Sequence, residues 1–71
     1  MDITSAQVQK ILTGDYRFKQ LAFSMMVTRL RLLYRQDQSP IVLQVCEKEI
    51  MSFLRQYAPI MPADVAIISK I

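Results

Sequence analysis

The sequence predicts an all-α fold, a small bundle of three to four helices around a central antiparallel helical hairpin. Three observations carry this expectation. Only one of the 71 residues is glycine, against a usual share of about 7%, whereas all-β domains depend on glycine-rich turns. Apolar residues recur at helical spacing in three successive stretches. Each stretch is preceded by a residue that caps helices, namely Thr4, Asp15 and Ser39.

The first helix is expected over 5–13. Thr4 followed three residues later by Gln7 is a capping-box pattern. Val8, Ile11 and Leu12 form its apolar stripe, and Gly14 stands where a left-handed residue would close it.

The second helix is expected over 16–36, with Asp15 as its N-cap. Arg17, Gln20, Ser24, Thr28, Arg31 and Arg35 fall in one narrow polar strip at helical spacing. Most of the remaining circumference is apolar, interrupted by Lys19 and Arg29. A surface helix needs an apolar arc of about 100°; this one has more than about twice that. Such a helix is central to a bundle or to an assembly.

The third helix is expected over 40–57. Ser39 before Pro40 is a strong start signal, and Pro59 ends the run. Val42, Leu43, Cys46, Ile50, Phe53, Leu54 and Tyr57 make its apolar face. The short link between the second and third helices makes them antiparallel neighbours. That folding sets Leu33 near Leu43, Met26 near Ile50, Phe23 near Phe53 and Arg29 near Glu47. The tail admits a fourth helix over 63–70, opened by Pro62 and Asp64, but its β-branched run also suits an extended strand.

One domain spans 1–71. A chain this short buries only about 60–65% of its unfolded surface. A single cysteine forms no intramolecular disulfide, and the absence of histidine removes most zinc ligand sets. Good helix packing or oligomerisation remains to stabilise it. A hydrophobic fraction of 52% fits a chain that buries surface on folding and again on association. The N-terminus lacks the apolar run of a secretory signal, and no apolar run reaches the 18 or so residues of a membrane span. The expected location is cytoplasmic.

No catalytic, cofactor-binding or metal-ligating set is expected. Without histidine the commonest general base is missing. Cys46 falls on an apolar stripe, as a small buried thiol does. The carboxylates are scattered, and one glycine builds no phosphate loop. The five methionines read as core filling more readily than as an adaptable groove.

The expected function is therefore a non-enzymatic protein–protein interaction or assembly module. A homodimer is expected through the surplus apolar face of the second helix, anchored by Phe23, Val27, Leu30 and Tyr34. Ile41, Val45 and Met51 add apolar surface that one small subunit leaves uncovered. An adaptor for a different protein would need the same face. The alternative is a small DNA-binding accessory protein. Five of the nine basic residues cluster in the second helix, and Arg17, Arg31 and Arg35 on its polar strip would lie along phosphates. The stretch around Gly14 makes a poor helix-turn-helix, with Lys10 and Gln20 where small and apolar residues belong. A membrane surface fits less well still, because the apolar arc is too wide for a half-sunk helix.

Overall fold

The computed structural model describes residues 3–14 and 18–71. Among them are four helices and no strand: α1 (Ser5–Thr13), α2 (Leu21–Gln36), α3 (Pro40–Tyr57) and α4 (Pro62–Ser69). No peptide bond among them is cis and no residue has positive φ.

Local chemistry starts and stops α1 and α3 where the residues indicate. The Thr4 hydroxyl accepts from the Gln7 N–H, and the Gln7 carboxamide accepts from the Thr4 N–H at 2.8 Å, so two orphan donors are satisfied reciprocally. The Ser39 hydroxyl accepts from the Val42 N–H, with Pro40 at the first helical position. Gly14 closes α1 differently from expectation. It is extended, with φ −87° and ψ 170°, and donates its N–H to the Lys10 carbonyl at 2.8 Å. No left-handed residue is required there.

The start of α2 is a correction. Phe18, Lys19 and Gln20 are not helical, and the helix begins at Leu21. Gln20 is the N-cap, its carboxamide oxygen accepting from the Phe23 N–H. The expected cap Asp15, with Tyr16 and Arg17, lies outside the described residues. A chain leaving the bend has a physical motive. It lets the Phe18 ring pack edge-on to Phe23, centroids 4.5 Å apart.

The helices α2 and α3 pack against each other in opposite senses. Phe23 meets Phe53 at a centroid distance of 5.1 Å, while the later residue Arg29 meets the earlier residue Glu49. The link between the helices is only Asp37 to Ser39, a length common between antiparallel neighbours. Arg29 therefore pairs with Glu49 at 2.6 Å and not with the expected Glu47. Two residues apart on a helix point in different directions, and only Glu49 faces α2. Exposed as it is, the pair adds little, about 0–1 kcal/mol.

One core joins all four helices: Val8, Ile11 and Leu12 of α1; Phe23, Val27 and Leu30 of α2; Cys46, Ile50 and Leu54 of α3; Val65 and Ile68 of α4. The tail is helical, and its β-branched residues Val65 and Ile68 pack into the core instead of pairing as strand. It is tied to α1 by the Gln7 carboxamide donating to the Ser69 carbonyl at 2.7 Å. Lys10 donates to the Ile71 carbonyl at 3.4 Å. At the other end, the Ile3 N–H points at the Met51 sulfur, 3.3 Å away, so Met51 lies beneath the N-terminal segment. Among the described residues the core holds no polar or charged side chain.

Phe23 is fully buried and in contact with two other rings. Phe23→Ala should cost about 3–5 kcal/mol. The whole stability of a chain this size is roughly 4–11 kcal/mol. The urea transition followed by circular dichroism should shift to much lower denaturant or lose its cooperativity. A midpoint equal to that of the parent chain would show that the ring cluster is not central to the fold.

Candidate interaction surface

Helix α2 is apolar on two roughly opposite faces, as its 100° advance per residue makes plain. Phe23, Val27 and Leu30 form one row, with exposures of 0%, 1% and 0%. Leu21, Met25 and Leu32 form the other, with exposures of 71%, 64% and 54%. The second row, with Thr28, follows a spacing of four, three and four residues, the repeat by which one helix meets another.

This reverses the expected assignment. Phe23, Val27 and Leu30 are the core of the single chain and are not available as surface anchors. Tyr34 is half-buried and packs against that core. The apolar excess on α2 is real, but it lies on the other face, at Leu21, Met25 and Leu32. Ser24, Met25, Thr28, Arg29 and Leu32 line a shallow depression there, mostly apolar in its lining. The Arg29–Glu49 ion pair stands at its edge.

The apolar surface continues toward the hairpin end. Leu33 on α2 is exposed, and so are Ile41 and Val45 on α3. The antiparallel order of the two helices brings these three to the same end of the hairpin. Ile41 and Val45 were expected to remain uncovered, and they do. Met51 does not, because the N-terminal segment covers it.

The basic strip is less open than its residue types indicate. Arg31 is half-buried, and its Nε–H donates to the Ile11 carbonyl at 2.9 Å. That carbonyl belongs to the last turn of α1, the negative end of the helix, where a guanidinium is favoured. Arg31 thus fastens α1 to α2. Arg35 is exposed beside it, and both line a small polar recess with Thr13, Tyr34 and Gln38. Arg17 lies outside the described residues. The intervening Thr28 hydroxyl donates to the Ser24 carbonyl within its own helix at 2.9 Å.

Cys46 is buried in the core and free. Burial raises its thiol pKa above the ordinary value, and the nearby Glu49 carboxylate adds to the rise. Among the described residues no group of His, Cys, Asp and Glu is arranged to hold a metal ion. Among the described residues no helix is long and apolar enough to cross a membrane.

Comparison with family models, curated proteins and solved structures yields no match to this chain.

Two outcomes are expected for Cys46. Its alkylation by iodoacetamide should be slow in the folded chain and fast in urea, because the reactive thiolate is both hidden and disfavoured. The raised folded-state pKa also means that the folded chain holds the thiol proton to higher pH than the unfolded chain. This contribution to stability is intact below the unfolded thiol's pKa and is lost as pH rises through the folded one. Cys46→Ala should remove that part of the alkaline fall in urea midpoint. Equal labelling rates with and without urea would contradict the buried position.

Proposed function

We propose that this chain is a small, non-enzymatic protein–protein interaction module that associates with a second copy through the outward face of α2. The observation that carries this reading is the row Leu21, Met25 and Leu32, three large apolar side chains more than half exposed on the side of α2 away from its own core. Leaving such a contiguous patch in water is unfavourable, and soluble chains that keep one use it for association. Each side chain covered contributes about 1.5–3 kcal/mol. The spacing of the row suits a facing helix better than a small molecule, since the depression along it is shallow and open.

Nucleic-acid binding has weaker support. Of the three arginines that would contact phosphates, Arg31 is partly covered and donates to the end of α1, and Arg29 beside the strip is paired with Glu49. A phosphate-tracking face needs guanidinium groups directed outward.

Sedimentation equilibrium of the full chain over a wide concentration range, at moderate salt, tests the reading. A dimer mass is expected. Leu32→Glu should shift the equilibrium to monomer with the helical circular dichroism signal intact, because Leu32 is not a core residue. Because the substitution is present in both copies, loss of about 3–6 kcal/mol of association, roughly a hundredfold or more in dissociation constant, is the expected scale. A parent chain that stays monomeric at every concentration would refute self-association.

A further inference from the structure

We infer that α4 is a strap, docked on the bundle of α1, α2 and α3 as a unit and released from it while those three helices stay folded. It stands apart from the association proposed above, because α4 contributes nothing to the outward row of α2. The residues of α4 do little to make it a helix by themselves. It has eight residues, Pro62–Ser69, fewer than the roughly 12 at which an isolated helix becomes even marginal. Val65, Ile67 and Ile68 are β-branched and lose side-chain freedom in a helix. Pro62 and Asp64 suit the first turn. The N-cap, Met61, makes no side-chain capping bond, whereas Thr4, Gln20 and Ser39 cap α1, α2 and α3. Docking is therefore what keeps α4 helical.

That docking is light. Of the eleven buried residues among those described, only Val65 and Ile68 come from α4, and Ile67 between them is 50% exposed. The other nine belong to α1, α2 and α3, which also pack on one another pairwise. Two polar tethers hold the far end of α4, and both come from α1. The Gln7 carboxamide donates to the Ser69 carbonyl at 2.7 Å, and the Lys10 ammonium donates to the Ile71 carbonyl at 3.4 Å. They meet carbonyls that a helix end leaves open. The end of α3 needs nothing from α4. The Ala58 N–H donates to the Leu54 carbonyl at 2.8 Å, and the N–H groups of Ile60 and Met61 donate to the Tyr57 carbonyl at 3.0 and 2.8 Å. The link from Ala58 to Met61 thus acts as a hinge, with α3 intact on one side of it. Burial of two side chains has to offset the entropy of fixing the whole segment. Elements held this way lie at the low end of local stability.

Hydrogen–deuterium exchange of the full chain, followed amide by amide by NMR in a series of low urea concentrations, tests the strap. The amides of Ala66 to Ser69 should share one opening. They should exchange about tenfold or more faster than the slowest amides of α2 and α3, with a weaker urea dependence, because undocking exposes little surface. Two variants separate undocking from global unfolding. Ser39→Ala removes the cap of α3 at the end remote from α4. It should speed the slowest amides of α2 and α3 about fivefold and leave those of α4 unchanged, since α3 is equally formed with the strap on or off. Gln7→Glu keeps an acceptor for the Thr4 N–H, as the capping box allows, but has no donor for the Ser69 carbonyl. It should speed α4 exchange about fivefold or more. Equal acceleration of every helix by Ser39→Ala would overturn the strap, because α4 would then open only with the whole chain. So would protection of α4 equal to that of α2 and α3 in the parent chain, or exchange graded from residue 71 inward, the mark of simple fraying. An unchanged α4 rate in Gln7→Glu would overturn the tether.

Discussion

Burial of the row Phe23, Val27 and Leu30 fixes the rotation of α2 about its own axis. Once those three side chains face inward, every other residue of the helix has its direction assigned. Leu21, Met25 and Leu32 must then point to solvent, Arg31 toward α1, and Arg29 toward α3. The ring of Phe23 anchors the choice. It is held between Phe18 on one side and Phe53 on the other, and Phe53 stacks in turn on Tyr57 at 4.3 Å. A helix with two apolar faces has two candidate rotations. The aromatic contacts, available only on the Phe23 side, separate them.

The polar contacts around this core work at its margins. Thr4 and Ser39 satisfy the first N–H groups of α1 and α3, each contribution being about 1 kcal/mol. Arg31 and Gln7 reach across helices to backbone carbonyls, where a charged or amide donor compensates groups that helix ends leave open. With a core made only of apolar residues and one thiol, the fold has few internal charges to specify its arrangement. Specificity falls to side-chain shape, to the ring cluster and to these edge contacts. The same economy explains why the chain has apolar residues to spare. A small bundle presents much surface for its volume, and some of its 52% hydrophobic residues necessarily lie outside.

The self-association proposed here uses that surplus. A second copy carries on its own α2 an apolar row of the same length and spacing. Association would cover the leucines and methionine that the single bundle exposes, without rearranging the core. It would also explain why α2 departs from the one-faced pattern of α1 and α3, in which the outward positions are mainly polar.

Much of this architecture was legible in residue order. The boundaries of α1 and α3 follow from Thr4, Gln7, Ser39 and Pro40, because capping is a contact among residues three apart and needs no tertiary context. The all-α class follows from a single glycine and from helical spacing. The apolar surplus of α2 is also written in its residues. Which side of α2 turns inward is not, since Phe23-Val27-Leu30 and Leu21-Met25-Leu32 are both apolar rows of helical period, and hydropathy alone ranks them as equals. Nor could local signals place the start of α2 at Leu21, where Phe18 packs on Phe23 and Phe18, Lys19 and Gln20 are not helical. The same holds for Arg29, whose partner is Glu49 because the rotation of α3 directs that carboxylate, and not Glu47, toward α2. Composition and short-range spacing settle which segments are helices. The direction each face takes depends on contacts between segments distant in the chain, and these exist only after the helices have packed.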